Sequence, residues 1–219
     1  MTEKYIKNAE FNFIRKQVDL IKDSYKKNAP ANVVQAVKDQ AHMKIMELYP
    51  NATKEQNEML DLSKLKSDQE FEQYVNKLSE YVLPFPMISE AQLKKLFPKN
   101  KKLKLPNFDN FNPNQLTYLS WEDISTNKKF IVTEIEGNVV GIECKYTILP
   151  KDNICSFCNG FGTVAFVSTI TKAKKLKNPD YYKAIGNYIC HDSAKCNKNM
   201  TNVNYLTAFL KESLGEKTV

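Results

Sequence analysis

Two pairs of cysteines constrain this chain more than any other feature. Cys155 and Cys158 form a C-x2-C pair, and Cys190 and Cys196 form a second pair with five residues between them, 31 residues further on. Four thiolates suffice to close a tetrahedral Zn²⁺ site, because zinc takes soft sulfur ligands and has no geometric preference of its own. The tight first pair fits one knuckle turn, with Gly160 and Gly162 leading the chain out of it. The wider second pair is expected on a loop that bulges around the metal. Two other readings compete at this point: a disulfide framework, as in small secreted chains, and a set of unrelated buried thiols. Cys144 lies outside the pattern in a strand-like run and is expected to be a buried thiol. His191 directly follows Cys190, and adjacent residues rarely converge on one ion, so the four cysteines are the preferred ligand set.

The setting bears on that choice. The N-terminus, Met1-Thr2-Glu3-Lys4-Tyr5-Ile6-Lys7, lacks the apolar run of a signal peptide, and no stretch of 18 apolar residues occurs. A cytoplasmic protein with no membrane span is expected, and reduced thiols there favour metal over disulfide. At 219 residues, one large domain or two small ones are expected. Residues 1–90 hold 13 basic and 14 acidic side chains, whereas residues 91–219 hold 19 and 11, so the second part carries the entire basic excess. A positive field of that kind attracts an acidic protein surface or nucleic acid, and it weakens with salt. Arg15 is the single arginine among 32 basic residues. Arginine is the usual reader of base edges and phosphate forks, so sequence-specific nucleic-acid readout, direct DNA binding included, is disfavoured, although lysine still binds phosphate as a point charge.

The first 86 residues read as an antiparallel helical bundle. Ile6, Phe13, Ile14, Val18, Ile21 and Tyr25 recur at helical steps, and Asn28-Ala29-Pro30 ends that run. Val34, Val37, Ala41, Ile45 and Leu48 form the next stripe, stopped by Pro50. Thr53 with Gln56, and Ser67 with Glu70, are capping boxes that open a third and a fourth helix, the latter carrying Phe71, Tyr74, Val75, Leu78 and Val82. His42 and the Met43, Met46 and Met59 group are read as structural. Leu83-Pro84-Phe85-Pro86 marks the boundary, giving domains 1–86 and 87–219.

A third box, Ser89 with Gln92, opens a short helix that leads into Lys94, Lys95, Lys99, Lys101, Lys102 and Lys104, with no acid among them. That run is either a solvated surface or a docking patch for a negative partner. Pro106 to Pro113 reads as extended chain. Strands are expected at Leu116–Tyr118 leading to Trp121, at Lys129–Thr133, at Val139–Cys144, at Thr163–Ser168 and at Tyr188–Cys190, with a hairpin turn at Glu136-Gly137-Asn138. Trp121 is read as core. Thr171 to Asp180 reads as a loop, and Thr201 to Leu210 as a final helix. The fold class is therefore α+β: a helical bundle, then a mixed α/β domain whose finger, about residues 150–213, has the knuckle, hairpin and helix of a treble clef around one structural zinc.

These residues resemble the FusB-type family, cytosolic proteins that bind bacterial elongation factor G and protect translation from fusidic acid. The resemblance is carried by Lys94-Lys95-Leu96-Phe97, Lys101-Lys102-Leu103-Lys104-Leu105-Pro106, Tyr118-Leu119-Ser120-Trp121 and Asn127-Lys128-Lys129-Phe130-Ile131-Val132. Its most specific part is the two cysteine segments with their Gly186-Asn187-Tyr188-Ile189-Cys190 lead-in. It implies a helical bundle joined to a four-cysteine zinc domain, with no enzymatic activity. It further implies binding to the C-terminal domains of elongation factor G, release of that factor from a drug-stalled ribosome, and a monomer. Contact residues carried over from the family are Tyr188 and Phe209. The family's aromatic before the first cysteine is replaced by Ile154, and its lysine three positions before the tyrosine by Ile185, with Lys183 close by.

The alternative reading is a zinc-stabilised module that binds RNA or the ribosome directly. A zinc enzyme is disfavoured because four cysteines leave no open coordination position, and neither His42 nor His191 begins the His-x-Glu segment of a deaminase. Dithiol redox chemistry is ranked low because strand candidates, and not a helix N-terminus, surround the C-x2-C.

Overall fold

Local side-chain chemistry sets where the helices of the first unit begin. In the computed structural model, which describes residues 3–171 and 183–216, helix α1 spans Asn8–Lys26, α2 Ala31–Met46, α3 Lys54–Leu60 and α4 Asp68–Ser79. Thr53 Oγ1 accepts from the Gln56 N–H at 3.2 Å while Gln56 Oε1 accepts from the Thr53 N–H at 2.9 Å. Ser67 and Glu70 make the same reciprocal pair before α4. Each box satisfies two backbone donors that a helix start leaves orphaned. A signal the periodicity does not contain opens α1: Glu10 reaches back to the Lys7 N–H at 2.8 Å.

The apolar stripes of these helices meet in one cluster: Ile14, Val18 and Ile21 of α1, Ala41 and Ile45 of α2, Leu60 of α3, and Phe71 and Leu78 of α4. Ile6 is buried in the same cluster, but it precedes α1 instead of belonging to its stripe. It forms a parallel bridge with Val82, and the Leu83 N–H donates to its carbonyl at 2.8 Å. Leu48 falls beyond the end of α2 and is exposed, because the helix stops before its stripe does. Met46 and Met59 pack on the cluster, whereas Met43 is exposed.

The chain divides into two compact units, Met1–Leu83 and Pro84–Val219. The second opens with α5, Glu90–Leu96, started by the Ser89–Gln92 box. The segment expected to be extended from Pro106 to Pro113 instead contains the 3-10 turn Phe108–Asn110 and runs into another, Pro113–Gln115. Asn107 and Asn112 cause them, each side-chain oxygen accepting from the N–H two residues on.

Strands β1 (Leu119–Asp123), β2 (Lys128–Ile135), β3 (Asn138–Ile148), β6 (Val164–Ile170) and β7 (Ala184–Cys190) form one antiparallel sheet in the order β1-β2-β3-β6-β7. A small hairpin of β4 (Asn153–Ile154) and β5 (Phe161–Gly162) is inserted between β3 and β6. Ile135 pairs with Asn138 across the expected turn, where Glu136 and Gly137 both have positive φ (52° and 77°), as a two-residue hairpin turn requires. Helices α6 (Ser193–Asn199) and α7 (Asn204–Leu214) complete the unit. The loop expected over residues 171–180 lies, beyond Thr171, outside the described residues.

One face of the sheet carries an aromatic cluster. Trp121 of β1 stacks on its cross-strand partner Phe130 with centroids 5.0 Å apart, and Phe97 meets both rings edge-on. The Trp121 indole donates to the Lys104 carbonyl at 2.8 Å. Cys144 is fully buried, and burial pushes its thiol up to about 12.

Candidate metal centre

The first cysteine pair sits where the β4–β5 hairpin turns. The Cys155 N–H donates to the Gly160 carbonyl at 2.9 Å and the Asn159 N–H to the Cys155 carbonyl at 2.8 Å, with Asn159 in the left-handed region (φ 56°). This curl aims both side chains inward. Cys190 is the last residue of β7, and Cys196 lies in α6. The expected bulging loop is thus replaced by a helix, because Asp192 caps it, accepting from the Ala194 and Lys195 N–H groups at 2.8 and 3.1 Å.

The four sulfurs lie within 4.8 Å of one another, and all four residues are buried. Cys155 and Cys196 are 3.7 Å apart and Cys158 and Cys190 3.6 Å. Zinc–sulfur bonds of about 2.3 Å place tetrahedral sulfurs about 3.8 Å apart, whereas a disulfide needs about 2.0 Å. The cysteines are unbridged, so the geometry fits an ion and not a covalent framework. Backbone donors aim at the sulfurs as they would at thiolates: Gly160 N–H to Cys158 Sγ at 3.4 Å, and Cys190 N–H to Cys155 Sγ at 3.2 Å. Crowding sets the thiols against one another. Cys155, accepting from Cys158, Cys190 and Cys196, is pushed well below the ordinary thiol value, while Cys196, facing Cys155 first and then Cys158 and Cys190, is pushed far up. A dication at the centre removes that conflict by letting all four ionise together.

Side chains that the spacing did not reveal hold the centre to the sheet. Lys129 of β2, 2% exposed, donates to Glu122 Oε1 at 2.8 Å and to the His191 carbonyl at 3.0 Å, beside the third cysteine. Phe157, between the first two cysteines, packs against Tyr118, Tyr205 and Phe209, with centroids 5.8, 6.3 and 5.8 Å away. Asn197 bonds the backbone of Thr117 and Tyr118, so the strand expected at Leu116–Tyr118 begins only at Leu119.

The expected contact residues fall into three places. Ile154, 58% exposed, lies on the knuckle opposite Phe161, and Tyr188, 40% exposed, lies on β7 against Phe166 at 5.5 Å. The Ser156 N–H donates to the Tyr188 carbonyl at 2.8 Å, which joins the knuckle to β7. Phe161 and Phe166 are also exposed, so one apolar pair lies on the knuckle and another on the β6–β7 hairpin. Ile185 and Lys183 lie further along β7 and beyond its start, about 10 and 17 Å from Tyr188 at the rise of an extended chain, and Lys183 pairs with Glu212. Phe209 is 6% exposed on α7; its ring is core, seated on Phe157.

Elsewhere in the second unit, a cleft of about 510 Å³ is lined by Phe85, Phe108, Phe111, Leu116 and Leu119. Its polar neighbours are committed: Ser89 and Gln92 cap α5 and Glu90 pairs with Lys94. It offers no convergent chemistry. In the lysine run, Lys94 and Lys104 are paired with Glu90 and Asp123, leaving Lys95, Lys99, Lys101 and Lys102 on the surface.

Comparison with known proteins gives two family matches and several structural ones. Residues 5–86 match the profile of the elongation factor G-binding protein N-terminal domain, and residues 95–214 that of the FBP C-terminal treble-clef zinc-finger. The solved structure of the fusidic acid resistance protein FusC is similar over 95% of this chain and 97% of that one, with a TM-score of 0.77 and 28% identity. No curated protein sequence matches significantly.

Proposed function

The chain belongs to the elongation factor G-binding protein family, and from that premise we propose that it grips elongation factor G with the zinc-stiffened face of its second unit and so protects translation from fusidic acid. The observation that carries this reading is the exposed apolar group Ile154 and Phe161 on the β4–β5 knuckle and Phe166 and Tyr188 on the β6–β7 hairpin, beside the four cysteines. Apolar and aromatic side chains left in water on a rigid base are what an interface anchor needs.

Recognition, without covalent chemistry, is the mechanism. One structural zinc supplies rigidity at a closed site of four thiolates. The basic excess of residues 91–219 speeds encounter with an acidic surface of the factor's C-terminal domains. Tyr188 and Ile154 make direct contact, with Lys183 and Ile185 at the margin, while Phe209 acts from beneath by supporting Phe157. The protein works as a cytoplasmic monomer and releases the factor from the stalled ribosome. Release requires tighter binding to the departing state of the factor than to the stalled one. Inverting a 1:99 balance takes about 5.5 kcal/mol of such preference.

Titration of elongation factor G with parent and variants tests this. Tyr188→Ala is expected to weaken binding tenfold or more, about 2 kcal/mol for an anchor, and Ile154→Ala by less. Affinity is expected to fall as salt rises. Unchanged affinity in both variants contradicts the proposed face, and binding to isolated ribosomal RNA with none to the factor contradicts the function.

A further inference from the structure

Tyr118 is fully buried, yet its hydroxyl has no hydrogen-bond partner of good geometry. An unsatisfied buried hydroxyl is costly and calls for an explanation. Among the groups that act on it, the Cys196 sulfur stands first, followed by Cys155 and Cys190. Its ring meets that of Phe157, which stands between Cys155 and Cys158, edge-on with centroids 5.8 Å apart.

The backbone of Tyr118 is held by the residue next to that sulfur. Asn197 Oδ1 accepts from the Thr117 and Tyr118 N–H groups at 2.6 and 3.0 Å, and its Nδ2 donates to the Tyr118 and Ser193 carbonyls, both at 2.9 Å. Two bonds accepted and two donated use the whole capacity of an amide. Cys196 and Asn197 are successive residues of α6, so their side chains diverge by about 100°. One turns to the metal centre and the other to the chain entering β1. The interlock brings together segments 79 residues apart.

We propose that Tyr118 is a positioning residue of the metal centre, donating its phenolic hydrogen to the Cys196 thiolate, and that Asn197 holds it in register to do so. A metal-bound thiolate is an acceptor only, so it matches a hydroxyl that lacks a partner. The bond draws electron density from one ligand and ties the centre to β1. Partners of this outer kind change metal affinity 10- to 100-fold when removed.

The proposal rests on the four-cysteine centre taking up metal, and total metal content tests that premise separately: a folded protein that binds none overturns both. With Co²⁺ in the site, Tyr118→Phe is expected to move the sulfur-to-metal charge-transfer band to longer wavelength, because a thiolate without its hydrogen bond gives up an electron more easily. Zinc competition with a chelator is expected to show affinity about tenfold lower. A metal-loaded Tyr118→Phe protein with an unshifted band overturns the proposal, since loss of packing alone leaves the band in place. The parent protein supplies a test independent of that variant's folding. Loaded with ¹¹³Cd, its Tyr118 hydroxyl proton is expected to show scalar coupling to the metal through the sulfur. A hydroxyl resonance without that coupling overturns the proposal.

Discussion

The two units solve the same energetic problem with different means. The first buries one continuous set of aliphatic and aromatic side chains, from Ile14 to Leu78, and closes its ends by the bridge of Ile6 with Val82. The second concentrates its aromatic core around Phe97, Trp121 and Phe130 at one end. At the other end, four of the buried side chains are sulfurs that repel one another once ionised. Apolar burial is non-directional and tolerates adjustment, whereas a tetrahedral centre fixes three chain segments at once: the knuckle, the end of β7 and α6. The core of the first unit is thus apolar contact throughout, whereas part of the core of the second is a site for an ion. That site gives the second unit a stiff surface next to the metal.

The largest expected effect separates them completely. Chelation, or Cys155→Ser, removes a term on the order of 10 kcal/mol from the second unit. Trp121, the only tryptophan, lies in that unit. Its fluorescence is expected to change while helical circular dichroism from the first unit persists. Simultaneous loss of both signals would break the comparison. Phe71→Ala is the converse experiment: about 3–5 kcal/mol lost from the helical unit, with zinc content and Trp121 fluorescence unaltered.

A smaller effect is expected from Cys144. Its thiol is raised from 9.0 to about 12 by burial, so the folded state holds the proton more tightly than the unfolded one. Its contribution is complete below about pH 9 and is lost as pH climbs through about 12. The stability difference between parent and Cys144→Ala is therefore expected to change over that window and to be flat at neutral pH. The smallest effect is that of a cap. Ser67→Ala is expected to cost about 1 kcal/mol, read as a lower melting temperature of the helical unit alone.

The sequence is most legible where the physics is local. The capping boxes at Thr53, Ser67 and Ser89 span three residues each, and all appear with both hydrogen bonds. The Glu136-Gly137 turn and the two cysteine pairs are equally short-range signals. What escaped depends on distant partners. Helix α6 is seven residues long and is fixed by Asp192 and by the metal-facing Cys196, so periodicity over a longer window misses it. The late start of β1 is set by Asn197, whose bonds cross 79 residues. The domain division falls after Leu83, three residues before the position read from the proline cluster. For Phe209, expected as a contact residue, only the fold shows that its ring is buried on Phe157. Phe161 and Phe166 show the opposite limit: nothing in an alternating strand pattern says that an aromatic side chain faces water.

The central claim, that a metal-clamped face grips the translation factor, is tested most directly by titrating elongation factor G with zinc-loaded protein, with chelator-stripped protein, and with stripped protein given zinc again. The account predicts a one-to-one complex with the first, its loss with the second and its return with the third. Equal affinity of the loaded and stripped proteins would contradict it.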